Sequence, residues 1–250
     1  PNATGVLPLL VGQGTKLSAY LIEHDKEYIA TLKLGEKRDT ADSEGAIIEE
    51  RQIDYSVLQK ENVEKILQSF IGKQEQIPPM YSAIKVNGKK LYEYARAGQE
   101  VERVEREIEI YNISVENIDF ENNEIRFRVA CSKGTYIRTL CETIAEMLGT
   151  IGYMKELQRT KVDKFLIKDS VTLSELEQSD DKSKYVISIE KIFEEKERIN
   201  LSPRKTELFL NGVQLTNAFN DGVYRVYTND KFLGLGTIKN GLLKRDIIIE

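Results

Sequence analysis

Tyr28, Ala30, Leu32 and Leu34 alternate with mostly polar neighbours, and this period of two predicts a strand with one buried face. Upstream, Val6 to Val11 predicts a buried strand. After the Gly12-Gln13-Gly14 turn, Leu17, Tyr20 and Leu21 recur at helical spacing. Gly35 to Gly45 is polar and predicts a loop. Ser56 followed by Gln59 is a capping-box signal for a helix with Val63, Ile66, Leu67 and Phe70 as its apolar stripe, ended by Gly72. Pro78-Pro79 breaks the chain. Arg106 to Phe120 and Glu124 to Cys131 flank Asn122-Asn123, and the second run alternates through Ile125, Phe127, Val129 and Cys131, which predicts a hairpin. Thr139 to Leu148 sets Leu140, Ile144, Met147 and Leu148 on one helical face, with Gly149 as its cap.

Ser174 to Arg198 holds eight acidic and five basic residues, which predicts solvated helix and linker with a domain boundary near Asn200. Beyond it, Asn211-Gly212, Asp221-Gly222, Asn229-Asp230 and Asn240-Gly241 punctuate short apolar runs, the signal of a small all-β module. The expected fold is α+β: a mixed, largely antiparallel sheet flanked by helices over residues 1–199, then a small β domain over 200–250.

The 250 residues suffice for one large core, or for a core with a small second domain. The longest apolar stretch is interrupted by Pro8 and far too short to span a bilayer, so a membrane protein is not expected. Cys131, Cys141 and the single His24 cannot assemble a disulfide framework or a Cys/His metal site, and a reducing, cytoplasmic setting fits them best. Net charge is -5, but residues 200–250 carry about +2, so local patches matter more than the total. The chain opens with Pro1 inside a segment that reads as buried, and is expected to lack its N-terminal portion.

The most informative local feature is Cys131-Ser-Lys-Gly-Thr-Tyr-Ile-Arg138, which joins a strand to a helix. It places Arg138 at the helix N-terminus, where a cation is disfavoured, so an anion should compensate: a carboxylate or phosphate, or simply Glu142 one turn on. Ser82 to Gly98 carries Lys85, Lys89, Lys90 and Arg96 interleaved with Tyr92 and Tyr94, a pattern suited to phosphate contact and base stacking, or to a solvated hairpin and helix. Tyr28 reads as core with a hydroxyl in need of a partner. Asp39 and Asp42 read as turn-makers. Gly12-Gln-Gly-Thr-Lys16 lacks the spacing of a phosphate-binding loop.

Several of these segments, taken in order, resemble bacterial tRNA pseudouridine synthases of the TruB type. The resemblance rests on Pro1-Asn-Ala-Thr-Gly-Val-Leu-Pro8, Gly14-Thr-Lys16, Asp25-Lys-Glu-Tyr28, Asp39-Thr-Ala-Asp-Ser-Glu-Gly45, Pro79-Met-Tyr-Ser-Ala-Ile-Lys85, Lys90-Leu-Tyr-Glu-Tyr-Ala-Arg96, Cys131 to Thr139 and Leu157-Gln-Arg-Thr160. It implies a pseudouridine synthase core with an RNA-binding insertion at about 80–105 and a PUA-like C-terminal domain. It implies isomerisation of the T-loop uridine of tRNA by base flipping, without metal or cofactor, by a monomer that needs no obligatory protein partner. Arg138 and Tyr28 would be catalytic. Tyr28, Tyr136 and Leu157 would contact the flipped nucleotide, and Lys16, Lys85, Lys89, Lys90, Arg96, Lys133 and Arg159 the RNA. The family's nucleophilic aspartate immediately precedes the Pro of the motif, here Pro1, and Arg138 would pair with it. Arg38 stands where the family usually has Thr. A non-catalytic tRNA-binding and folding protein is the alternative, because that aspartate is not among the 250 residues. A guide-RNA-dependent relative is a further one, which the long insertion and short C-terminal module disfavour.

Overall fold

The computed structural model describes residues 3–21 and 24–249. The chain divides into two compact units, one of residues 1–8 with 23–170 and one of 9–22 with 171–250. Residues 9–22, with the short helix α1 (Ser18–Leu21), and the acidic segment after 170 thus group with the C-terminal sheet. The division falls at 170/171, where the sequence had suggested Asn200.

The first unit is built on a seven-stranded sheet. The strands of the whole unit, in chain order, are β1 (Thr4–Gly5), β2 (Lys26–Leu34), β3 (Glu36–Arg38), β4 (Ile47–Glu50), β5 (Gly72–Gln76), β6 (Lys85–Val86), β7 (Lys89–Lys90), β8 (Arg106–Asp119), β9 (Glu124–Cys131), β10 (Gly152–Val162) and β11 (Phe165–Leu166). The large sheet runs β1-β10-β2-β9-β8-β5, with β11 on β10, and only β1 against β10 is parallel. β3 with β4 and β6 with β7 form two separate hairpins. The helices are α2 (Lys60–Gln68), α3 (Leu91–Arg96) and α4 (Ile137–Met147).

One face of this sheet is apolar, as the alternation predicts. Ala30, Leu32, Leu34, Ile125, Phe127, Val129 and Cys131 are buried there against Ile137, Leu140, Cys141, Ile144 and Ala145 of α4 and Val63 and Leu67 of α2. Each such large aliphatic contributes about 1.5–3 kcal/mol through burial. At Gly152 an added Cβ would lie 2.7 Å from Leu32 Cδ1 and 2.9 Å from Ala145 Cβ, so only glycine lets α4 approach β2 and β10 this closely.

Several local expectations need correction. Val6 to Val11 is no buried strand: β1 ends at Gly5, Val6 donates one last bond to Arg159 O, and Leu7, Leu9 and Val11 are exposed. Pro8, which lacks a donor, stands in that run. The Gly35 to Gly45 stretch contains a strand, β3, which folds back on β4. The helix after Ser56 starts at Lys60 without a side-chain cap, while Asp54 caps a separate single turn over Tyr55–Leu58 by accepting from the Ser56 N–H.

The second unit holds α5 (Leu173–Gln178), α6 (Ile189–Ile192), β12 (Arg198–Asn200), α7 (Pro203–Leu210), β13 (Leu215–Thr216), β14 (Gly222–Thr228), β15 (Lys231–Lys239) and β16 (Leu242–Ile248). Its sheet runs β12-β14-β15-β16-β13 around Phe209, Val226, Leu233, Ile238 and Leu243. It is not all-β: α7 begins with Pro203 at its first turn, a favoured position, and Asn211-Gly212 ends this helix instead of turning a hairpin.

Candidate active site

Arg138 lies in the first turn of α4, which carries no acidic residue of its own there. Its anion comes from the loop between β3 and β4. Arg138 Nη1 donates to Asp42 Oδ2 at 3.0 Å and to Thr40 O at 3.1 Å, and Nη2 donates to Tyr81 O at 2.6 Å. Among the described residues, the ion pair is therefore with Asp42 and not with Glu142. Both partners are about one-fifth exposed, so the pair is shielded without being sealed. Three of the five guanidinium N–H groups are used.

The Asp42 loop is tightly prescribed. Asp42 Oδ1 accepts from Thr40 Oγ1 at 2.6 Å and from the Glu44 N–H at 3.2 Å, while Asp39 Oδ1 accepts from the Ala46 N–H at 2.9 Å. Asp42 is thus the turn-maker expected of it, with its second oxygen turned to Arg138. Ala41 has φ 58°, an uncommon conformation for a residue with a Cβ, and its carbonyl accepts from the Met154 N–H of β10 at 3.1 Å. A Cβ on Gly45 would fall 2.2 Å from Asp39 Oδ1 and 2.4 Å from Thr40 Oγ1.

Buried Gln76, at the end of β5, fixes the start of α4. Its side chain accepts from the Tyr136 N–H at 2.8 Å and donates to Tyr136 O at 3.1 Å. No sequence pattern marks this residue beyond a polar type at a strand end.

Tyr28 and Leu157 pack against the core cluster that contains Ile137 and Leu140. Tyr28 pairs in register with Arg159 on β10, which brings the Arg159 cation close to the tyrosine. Burial is the main cause that raises the Tyr28 pKa, and Arg159 opposes it. Arg159 also donates through Nε to Val6 O at 2.7 Å. Nearby, the Lys26 pKa is lowered by burial first and by the Arg159 and Lys133 cations, a crowding of positive charge that an anion would relieve.

Lys85, Lys89, Lys90 and Arg96 fall together on the β6–β7 hairpin and α3. Lys89 lies 5.9 Å from the Tyr94 ring centroid, and Lys90 and Arg96 each lie 5.3 Å from that of Tyr92. Lys16 belongs to the second unit, where its amine donates to Ile248 O at 2.8 Å. Pro1 lies outside the described residues. Both cysteines are buried, and burial pushes the Cys131 thiol up to about 11 and the Cys141 thiol higher still, consistent with packing roles. Among the described residues, no group of three or more His, Cys, Asp or Glu is placed to hold a metal ion.

Three family models match the chain in sequence: the TruB family pseudouridylate synthase N-terminal domain over residues 1–137, the tRNA pseudouridylate synthase B C-terminal domain over 138–193, and the pseudouridine synthase II TruB C-terminal domain over 198–245. The chain belongs to the TruB family. Proteins named tRNA pseudouridine synthase B from Clostridium kluyveri and Clostridium tetani are 41% and 43% identical to it, over 96% and 94% of this chain and 83% and 82% of theirs. One from Oceanobacillus iheyensis is 48% identical over 72% of this chain, a stretch that spans 59% of that protein. Among solved structures, a Cbf5-Nop10-Gar1 complex superposes with TM-score 0.66 at 20% identity, covering all of this chain and 73% of that one. An H/ACA RNP bound to a substrate RNA containing 2'-deoxyuridine gives 0.67 at 18%, covering 74% of that chain. These two likenesses establish a shared fold. In TruB terms, the Asp39 to Gly45 motif and the Cys131 to Thr139 motif meet through Asp42 and Arg138, and Pro79 to Lys85 joins them through Tyr81 O.

Proposed function

We propose that this protein isomerises the T-loop uridine of tRNA to pseudouridine. The observation that carries this reading is the TruB match from residue 1 to 245, with relatives named tRNA pseudouridine synthase B at about 40% identity. Those names leave the non-catalytic tRNA-binding alternative unfavoured.

In the reaction the C1'–N1 bond breaks, the uracil turns over, a C1'–C5 bond forms, the C5 proton leaves and N1 gains a proton. No net oxidation occurs. One carboxylate must assist, and the resemblance places it immediately before Pro1, outside these residues. Arg138 supports such a group well: beyond its bonds to Asp42, Thr40 and Tyr81, its Nε–H and one Nη2–H have no partner among the described residues and would be available to a carboxylate. Asp42 then sets the orientation of the guanidinium, and the guanidinium charge would keep the assisting carboxylate ionised.

Tyr28 would stack on the uracil and assist loss of the C5 proton, while Tyr136 and Leu157 would contact the flipped nucleotide. Extrusion of the base costs a few kcal/mol, and the 80–105 insertion, with its cations beside Tyr92 and Tyr94, would hold the T stem-loop against it. Lys16, Lys133 and Arg159 would add RNA contacts. The catalytic function would lie within residues 1–199 and PUA-like RNA binding within 200–250, a functional division that differs from the compact units, which part at 170/171. The protein would act as a monomer without obligatory partner, since the insertion supplies RNA contacts from the chain itself. The setting is cytoplasmic, in keeping with the tRNA substrate and two buried free thiols; among the described residues no helix is long and apolar enough to cross a membrane.

Chemical mapping of pseudouridine in a tRNA transcript treated with the full-length protein tests this. A single new pseudouridine in the T loop is expected. Modification elsewhere, or none, would overturn the assignment.

A further inference from the structure

We propose that Arg38 is a positioning residue for this isomerisation, acting through Asp42 by clasping the loop that presents Asp42 to Arg138. The inference rests on the proposed activity and extends it to a residue where this chain departs from the family's usual Thr.

The loop over residues 39–46 must hold a carboxylate oxygen 3.0 Å from Arg138 Nη1 while it carries Ala41 in a left-handed conformation. That conformation favours other loop geometries unless something ties the loop down. One tie is the Met154 N–H to Ala41 O. A further tie is Arg38, whose Nη1 donates to Gly45 O at 2.9 Å and to Ser43 O at 3.3 Å on the far side of the loop. Its Nη2 reaches Glu36 Oε2 at 3.4 Å. The guanidinium carbon lies 4.5 Å from the ring centroid of Tyr153, a β10 residue only 5% exposed and adjacent to Met154.

Positions 153 and 154 of one strand thus fix the loop twice, directly through Met154 and indirectly through the Arg38 stack. A threonine at 38 is too short to span the ring and both carbonyls. Arg38 Nε is buried and has no hydrogen-bond partner among the described residues, so the guanidinium is held by its fork and its stack instead of by solvent. None of these contacts involves a residue assigned to the nucleotide, which is why the effect must pass through Asp42.

The test combines single-turnover tritium release from a [5-3H]uridine T-arm RNA, RNA affinity and amide exchange in the full-length protein. Arg38→Met keeps bulk against Tyr153 and removes the donors. It should slow the catalytic step about tenfold, leave Kd within about twofold, and accelerate exchange at Gly45, Ala46 and Met154 but not along β2. Arg38→Lys, which lacks the planar fork, should not restore the rate. In an Asp42→Asn background, Arg38→Met should cause no further loss, because both act on one element. A wild-type rate in Arg38→Met, an equal loss of affinity, or fully additive losses in the double variant would overturn the proposal. If the unsubstituted protein releases no tritium, the isomerase reading fails. The clasp is then judged by exchange alone: unchanged loop exchange in Arg38→Met refutes it and accelerated exchange upholds it.

Discussion

Arg138→Lys keeps a cation at the first turn of α4 but replaces a fork with a single nitrogen. In the structure the guanidinium serves three acceptors at once: Asp42 Oδ2, Thr40 O and Tyr81 O. An ammonium placed on Asp42 cannot also reach both carbonyls, so two hydrogen bonds to a charged donor are lost. Such bonds contribute roughly 1.5–3 kcal/mol each when buried. With the pair one-fifth exposed, water recovers part of that, leaving about 2 kcal/mol of destabilisation. For a protein of this size, that lowers Tm by about 4–8 °C. In the proposed reaction the chemical consequence is larger, because the assisting carboxylate would lose its guanidinium partner. A loss of about 100-fold in the single-turnover rate, equivalent to about 2.7 kcal/mol, is expected, while T-arm RNA affinity stays within about threefold. The assay is quench-flow tritium release with binding measured on the same preparation below the lowered Tm. Equal losses of rate and affinity would show that Arg138 is an RNA-binding cation, and the derivation from its three acceptors would be refuted.

Gly45→Ala should lower Tm by several degrees, because its Cβ would lie 2.2 Å from Asp39 Oδ1, whereas Gly14→Ala, with nothing within 4 Å, should leave Tm unchanged in a thermal melt. Burial raises the Glu142 carboxyl pKa in the folded state, so its ionised form costs stability at pH above that value and costs nothing once it is protonated below its unfolded pKa. Glu142→Gln should therefore raise Tm near neutral pH, with the gain shrinking to zero on acidification; a gain that grows toward acid pH would contradict this. Replacing Lys85, Lys89 and Lys90 together by Ala should weaken T-arm binding and reduce the slope of log affinity against log salt by about 2, read from a salt titration. An unchanged slope would remove those lysines from the phosphate contacts.

The strands carrying Tyr28 and Cys131, and helix α4, were legible because a buried face imposes its period on the sequence, whereas β10, which carries Leu157, was not read from its pattern. Periodicity fails where burial is not the organising force. Val6 to Val11 is apolar yet largely exposed, since the chain leaves the sheet after Gly5. Pro203 to Leu210 is a helix in a segment whose Asn-Gly pairs signal hairpins, because the same pair also ends a helix. The candidate site divides the same way. That Arg138 needs an anion followed from its place at a helix N-terminus, but which anion did not: Asp42 lies 96 residues away and is delivered by the fold. The partners that aim the site, Gln76 and Arg38, act through backbone carbonyls, a backbone amide and a ring, and such groups leave no mark on residue type.

The most direct test of the central claim is tritium release from a T-loop [5-3H]uridine tRNA transcript, with tRNA binding measured on the same sample of the full-length protein. The account predicts release of one tritium per T-loop uridine with multiple turnovers. Tight, salt-sensitive binding without release would contradict it and leave a protein that holds or folds tRNA.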